Sequence, residues 1–527
     1  MELTVVAKPL TFPALHFHMK LKFATLSKYF RWRFNFARSI SREIIFGFQT
    51  FGAIFYDALT VVPRNDLYSE WAGLVNRTCQ PNSDEDDNGT FKTCVSWCRA
   101  FDHPLVELLR KAVRYNWHKN YSAWLKHQTP NVRARLAKPR DRLSSKYPHL
   151  TSFPKIEKFV ACTDVPFVVK NARIVTSQSD RENADWAPYS FSLSKLIYPV
   201  ISRWSNNCMI ACGMNTREVG EWIHHATDWG FCYYISSDCT SFDGSVPIAG
   251  KLMEQWLYGY LGLKSANAWT ALHAQLHKHV KSRHGISYQC LGRTTSGSPN
   301  TSMGNSLLRL FATMDVLKRM HCKEYRLIVL GDDQLVCLKH PMTPDELKRF
   351  DSLQSDFGFI QVSTVAHHPA NIDFLSSHPL PTLDGTWAMT PKIGKFAPKI
   401  FCSTKFYKPL DLAIHRAQVC KASLKVAGHN PVLRAILEDH LRFSPDIPDE
   451  PVYNPYVDDY RDTPLNPYAL LGTDIPLAPA PFAWDWLRER YGVDAVQRLR
   501  HLADIRLTDC YSIYPSGILK GVTERDL

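Results

Sequence analysis

Residues 326–338 read RLIVLGDDQLVCL. Two adjacent carboxylates, Asp332 and Asp333, interrupt an otherwise apolar, β-branched run. Like charges about 4 Å apart repel by about 1 kcal/mol in water and about 4 kcal/mol at an effective dielectric near 20. Desolvating each ion adds to that cost. The apolar runs on either side of Gly331-Asp332-Asp333 predict strand, tight turn and strand, with the acids at the tip. Taken alone, such a tip serves equally well as a turn facing water.

The neighbouring segments narrow the reading. FCYYISSD (231–238) predicts an aromatic, β-branched strand ending in Asp238. TSMGNSLLRLFATMDVLKRM (301–320) carries apolar residues at helical spacing, and TPDELKRFDSLQSDFG (343–358) has a Thr cap, an early Pro and a closing Gly. The resulting order of strand, helix, hairpin, helix and strand predicts an α+β fold with a split βαβ sheet and its helices on one face. Asp238 then neighbours the hairpin, and three carboxylates converge. Oxygen-only ligands of this kind suit Mg²⁺ or Mn²⁺.

Three further segments fit that chemistry. DCTSFDG sets Asp243 five residues after Asp238; GRTTSGSPNTSMGN offers Ser296, Gly297, Thr301 and Asn305; VVKNARIVTSQ puts Lys170 and Arg173 beside a strand. Gly297 permits close backbone approach. Thr301 and Asn305 share a helix face. Lys and Arg suit phosphate oxygens.

Asp238-x4-Asp243, Ser296-Gly297-x3-Thr301-x3-Asn305 and Gly331-Asp332-Asp333, in that order, resemble the palm motifs of viral RNA-dependent RNA polymerases. The phrases SFDG, SGSPNTSMGNSLL and LGDDQLV are most similar to plus-strand RNA viruses of the noda-like and tombus-like kind. The resemblance is strong over residues 165–400 and implies a right-hand polymerase with fingers, palm and thumb. It implies metal-ligand roles for Asp238 and Asp332 with support from Asp333. Asp243 and Asn305, helped by Ser296 or Thr301, would read the 2′-hydroxyl, and Lys170, Arg173 and Arg181 would hold the triphosphate. No Lys stands at the family's usual general-acid offset after Gly358, which leaves His367 or His368 for that role. IDFLSSHPLP (372–381) resembles the hairpin that grips the primer, and Lys392, Lys395 and Lys399 are candidate phosphate contacts.

Around this centre, Lys and Arg exceed Asp and Glu by 13, which favours a polyanionic partner. Residues 110–146 hold eleven Lys/Arg against one Asp, interleaved with Tyr115, Trp117, Tyr121 and Trp124, a composition suited to RNA or to a solvated helix face. Residues 3–42 hold eight Lys/Arg and no acid, followed by the apolar 44–63 with Asp57. That pair of features is compatible with an anionic membrane surface, a mitochondrial-type address or a core helix. The fourteen cysteines lack a repeating spacing, and Cys79, Cys94, Cys98 and His103 contain no CxxC, so reduced thiols fit better than a zinc site.

The expected division is an N-terminal extension (1–65), fingers (66–230), palm carrying the first acidic motif (231–250), a fingers insertion (251–290), palm (291–400) and thumb (401–527) with a Pro-rich arm at 445–481. The expected activity is RNA replication from rNTPs on an RNA template with its nascent strand, in the host cell cytoplasm and compatible with a membrane-bound site. A reverse transcriptase and a non-catalytic RNA-binding or assembly protein are the alternatives. The first would block the 2′-hydroxyl rather than bind it; the second leaves the three acids unexplained.

Overall fold

The computed structural model describes residues 31–34, 49–50, 52–55, 58–61, 66–78, 87–128, 130–136, 150–155, 157–162, 172–205, 207–403, 408–447 and 472–527. Ten strands build two five-stranded sheets. In chain order they are β1 (Arg31–Phe34), β2 (Leu150–Pro154), β3 (Ile174–Ser177), β4 (Cys208–Ile210) and β5 (Tyr233–Cys239). There follow β6 (His277–Ser282), β7 (Ile286–Leu291), β8 (Tyr325–Leu330), β9 (Asp333–Leu338) and β10 (Gln361–Ala366).

The central sheet runs β10-β5-β9-β8-β4. β5 lies antiparallel between β10 and β9, and β8 pairs antiparallel with β9 and parallel with β4. Its inner strands are buried almost throughout, which matches their Val, Ile, Leu and aromatic content. Helix α1 (Thr301–Arg319) packs under it, with Leu307, Leu308, Leu310, Phe311 and Leu317 fully buried in the same core as Val329 and Val336. Helix α2 (Pro344–Ser355) begins at a capping box in which Thr343 and Glu346 satisfy each other's backbone N–H groups.

The second sheet runs β1-β7-β6-β2-β3. One of its faces is a core of Leu150, Val280, Ile286, Tyr288 and Cys290 against Trp71 and Leu74.

Several expectations need correction. Within 44–63 the described residues form short strands instead of a helix: Gln49–Thr50 pairs with Cys402–Ser403, Ile54–Phe55 with Ile513–Tyr514, and Ala58–Val61 with Phe159–Cys162. The β-branched and aromatic side chains there are satisfied by pairing with distant segments. Among the described residues no helix is long and apolar enough to cross a membrane. In the basic stretch 110–146, Trp124 is buried and the Trp117 indole donates to the Tyr189 carbonyl (2.9 Å), so both are anchors to the helix Asp180–Ser205, whereas Tyr115 is exposed. Beyond the Pro-rich arm stand two helices, Ala483–Tyr491 and Val493–Asp504, separated at Gly492 with φ +83°. Residues 448–471 of the Pro-rich arm, like most of 1–48, lie outside the described residues; Leu383 and Ala478 tie the arm's described end to the hairpin Ser377–Pro381/Trp387–Pro391.

Candidate active site

The β8–β9 hairpin closes through two residues, because Leu330 pairs with Asp333. Gly331 takes φ +63° at the first loop position, as a II′-like turn demands, and its N–H donates to Ser306 Oγ (2.8 Å) on α1. Gln334 faces Ser237 on β5, so the same register puts Asp333 across from Asp238. Asp238 is exposed; Asp332 and Asp333 are partly buried. Desolvation raises the pKa of both turn acids. For Asp332 the repulsion of Asp243 and Asp238 adds to it, and for Asp333 that of Asp332 and Asp238. Arg173 opposes the shift at both, and Lys395 at Asp333. Negative charge from Asp238, Asp243 and the two turn acids therefore bears on the turn.

Asp243 stands on a single helical turn, Phe242–Ser245, entered through Ser241 in the left-handed region (φ +52°). Phe242 is buried and stacks on Phe359, which fixes that turn to the core. Asn305 Nδ2 donates to Asp243 Oδ1 (3.1 Å), Thr294 Oγ1 donates to Asn305 Oδ1 (3.0 Å), and the Thr294 N–H donates to the Asp243 carbonyl (2.8 Å). Asn305 and Thr294 are buried and Asp243 is partly open.

The loop before α1 is laced to β3. Thr176 N–H donates to Ser296 Oγ (3.1 Å), Ser296 Oγ donates to the Ile174 carbonyl (3.2 Å), and Gly297 N–H donates to the Thr176 carbonyl (2.8 Å). A Cβ on Gly297 would come within 2.9 Å of that carbonyl. Thr301 Oγ1 donates to the Thr295 carbonyl (2.7 Å). Ser296 and Thr301 thus shape the loop, while Asp243 and Asn305 are the pair in direct contact. Behind them lies a buried polar network: Asn300 joins Trp186, Gln275, Ser298 and Glu254, and Glu254 also holds Tyr258 and Lys251. Gly304 lets α1 approach Glu254, since a Cβ there would lie 2.1 Å from Oε1.

Arg173 reaches this centre from the start of β3: its charge acts on Asp332, Asp243 and Asp333, and it pairs with Glu157 (3.5 Å). Lys170 lies outside the described residues, and Arg181 sits in the first turn of the helix Asp180–Ser205. Arg77 and Thr294 were missed by sequence reasoning. The charge of Arg77 also acts on Asp243 and Asp332, and its carbonyl would meet a Cβ on Gly244 at 2.1 Å, so the helical turn Leu74–Thr78 presses against the Asp243 turn. No local pattern marks Arg77, because only a chain crossing brings it there.

His367 and His368 are corrected. Val362 is opposite Asp238, but Ala366 is opposite Tyr234, so both histidines follow the far end of β10, about 16 Å along the strand. His367 packs edge-on to Tyr233, and His368 accepts from the Ala370 N–H and meets Trp486. Neither lies at the carboxylates as a general acid. Lys392 is likewise no phosphate contact: it is buried and paired with Asp373 at 2.9 Å. His103 uses Nδ1 to accept from Leu105 N–H and packs on Trp204, a capping role.

Among the described residues, no three His, Cys, Asp or Glu side chains stand close enough together to hold one metal ion as placed. The oxygen-only donor set and the raised pKa values of Asp332 and Asp333 nevertheless fit a hard divalent cation, whose charge would relieve the repulsion.

Residues 75–442 match the family described as viral RNA dependent RNA polymerase. The chain belongs to that family. It is 25% identical over 285 residues to the RNA-directed RNA polymerase of Panicum mosaic virus, covering 51% of this chain and 28% of the relative. It is 25% identical over 297 residues to that of Turnip crinkle virus (53% and 37%) and 24% identical over 303 residues to that of Groundnut rosette virus (55% and 35%). The matched part spans about a third of these curated relatives, between 28% and 37% of each.

Proposed function

We propose that the chain is a viral RNA-dependent RNA polymerase that joins rNTPs on an RNA template, with a right-hand build. The central sheet β10-β5-β9-β8-β4 is its split βαβ palm, drawn from 231–250 and 291–400 with β4 (Cys208–Ile210) added from the span expected as fingers. The rest of 66–230 and residues 251–290 are fingers, and 401–527 form the thumb. Asp238, Asp332 and Asp333 would hold Mg²⁺ or Mn²⁺, which when bound supplies charge neutralisation and activation of the 3′-hydroxyl. Arg173 and Arg77, with Lys170 and Arg181, bind the triphosphate and keep its oxygens in line. Asp243 and Asn305 orient the ribose, Asp243 with an acceptor turned to the 2′-hydroxyl.

The observation that carries this reading is the Asn305–Asp243 hydrogen bond beside the paired acids of the turn. A deoxynucleotide leaves that polar pair unsatisfied, whereas a reverse transcriptase would exclude the ribose there. The basic residues 3–42 support contact with an anionic membrane at a cytoplasmic replication site. The deciding experiment is nucleotide incorporation by the purified chain on single-stranded RNA, with rNTPs against dNTPs and with Asp332→Asn alongside. Template-dependent rNTP incorporation that vanishes in Asp332→Asn is the expected result. Equal use of dNTPs would remove the sugar-reading role, and incorporation surviving in Asp332→Asn would remove the metal site.

A further inference from the structure

On the core face of the central sheet, Val365, Ile235 and Val336 form an apolar row across β10, β5 and β9. The row two residues nearer the acids is polar: Ser363, Ser237 and Gln334. Gln334 directly follows Asp333 and Ser237 directly precedes Asp238, so strand alternation turns those acids to the opposite face. Beneath the polar row, α1 carries Arg309 and Thr313 and α2 carries Gln354, all three fully buried.

These side chains close into a ring of hydrogen bonds with a fixed direction. Arg309 can only donate, and the carboxylate of Asp351 on α2 can only accept. On the short arm Arg309 Nη2 donates to Gln361 Oε1, and Gln361 Nε2 donates to Asp351 Oδ1 (2.6 Å). On the long arm Arg309 Nη1 donates to Gln354 Oε1 (3.2 Å), and Gln354 Nε2 donates to Thr313 Oγ1 (3.1 Å). Thr313 Oγ1 donates to Gln334 Oε1 (2.6 Å), and Gln334 Nε2 donates to Ser237 Oγ (3.1 Å). Ser363 Oγ gives its proton to Asp351 Oδ1 (2.6 Å), so Ser237 Oγ donates to Ser363 Oγ (2.8 Å). Both arms thus start at the same guanidinium and end on the same carboxylate. Every hydroxyl and amide between them has a single orientation.

Apolar side chains of similar size would hold these strands and helices together about as firmly, since buried ionic groups contribute little net stability. Directional bonds add what apolar packing lacks, a single setting of strand against strand and of the helices beneath them. We propose that the ring is a positioning device for the acids: it fixes the ends of β5 and β9, and with them the separation of Asp238 from Asp332 and Asp333. Arg309, Gln354, Gln361 and Asp351 are positioning residues that act on the reacting centre through Ser237 and Gln334, and α2 is linked mechanically to the acidic turn. The inference rests on the polymerase reading for what the acids do. Cation binding needs no turnover, so the two can fail separately.

The test cuts the long arm at two side chains that the site itself does not use, Ser363→Ala on β10 and Gln354→Met on α2. Ser363→Thr keeps the hydroxyl. Ser355→Ala is the control, removing an α2 hydroxyl that bonds the Ser352 carbonyl (2.6 Å) outside the ring. Thermal melts confirm that each variant is folded. Mn²⁺ binding is read on the full chain without nucleotide, from the loss of the free-ion paramagnetic resonance signal, and kcat and KM from rNTP incorporation. Either cut should weaken Mn²⁺ binding and lower kcat by about tenfold, with KM for rNTP held within about twofold. Both cuts together should cost no more than one, because an open arm cannot be opened again, whereas independent effects would multiply. Ser363→Thr and Ser355→Ala should behave as the unaltered chain does. Unchanged Mn²⁺ affinity in both cuts, losses that multiply in the double variant, a change confined to KM, or an equal loss in Ser355→Ala would overturn the positioning role. Weakened Mn²⁺ binding in both cuts, with no incorporation even by the unaltered chain, would leave the ring standing and remove the polymerase reading.

Discussion

In the proposed reading Asp243 and Asn305 divide the work of sugar recognition. Asn305 is buried and spends its amide on the Asp243 carboxylate and its carbonyl on Thr294, so the partly open Asp243 is the one that would face the nucleotide. Asn305→Ala should therefore keep rNTP incorporation measurable while the preference for rNTP over dNTP falls by about a hundredfold or more, read as a ratio of kcat/KM values. Arg77→Gln should raise KM for rNTP by about tenfold with a smaller change in kcat, because one charge-assisted contact to a phosphate is worth about 1.5–3 kcal/mol. The two positions also differ in how far they could be read in advance. The acids and Asn305 announce themselves through spacing within short motifs. Arg77 is 166 positions from Asp243 and stands in an unremarkable sequence, so only the packing of Leu74–Thr78 on Gly244 reveals it. The histidines err in the opposite sense: an offset counted from a helix end ignores the register of β10, which carries them past the far end of β5.

At the scale of elements, local signals and long-range pairing divide along the same line. The β8–β9 hairpin, α1 and α2 are legible because their turn, cap and periodicity signals lie within the segment itself. The strands inside 44–63 are not, because each is only two to four residues long and exists by pairing with residues 98 to 459 positions away. The hairpin's own weak point is Gly331. Gly331→Ala forces a Cβ into φ +63° and should cost about 1–2 kcal/mol in denaturant melts. A second element-scale prediction concerns Glu70, fully buried, which accepts from Ser152 Oγ (2.8 Å) and Ser282 Oγ (2.6 Å) and so joins the helix Leu67–Gly73 to β2 and β6. Burial pushes its pKa up from 4.5 to about 7. The folded state thus holds the proton longer than the unfolded chain does. The stability this supplies is complete below about pH 4.5, declines as pH rises, and is lost above about pH 7. Melting curves of the unaltered chain should fall between pH 5 and 8 by an amount that Glu70→Gln largely abolishes.

Across the whole molecule, the C-terminal helices are tied to the active-site region by buried charge. Asp526 accepts from the Gly394 N–H (2.8 Å), from Tyr491 Oη (3.0 Å) and from Arg490 (3.2 Å). Arg490, fully buried, also grips Asp373 at 2.7 Å, and Asp373 N–H donates to Ser236 Oγ (3.3 Å) on β5. The helix Ile393–Ile400 has no cap from its own Lys392, so Asp526 serves as its N-terminal acceptor from 132 residues away, and that helix carries the Lys395 whose charge reaches Asp333. Asp526→Ala leaves Arg490 with one buried partner fewer and should destabilise the chain by about 3–5 kcal/mol in equilibrium unfolding. Hydrogen exchange at residues 393–400 should speed up in the same variant, and unaltered exchange there would show that the helix does not depend on Asp526. The clamp has a consequence for biosynthesis. A ribosome delivers the motif acids long before it delivers residue 526, so a nascent chain holds the acidic turn well before Asp526 can cap the helix beside it. Each newly made molecule passes through an interval in which that helix is present but not yet braced, and the interval closes only when Val522–Asp526 docks.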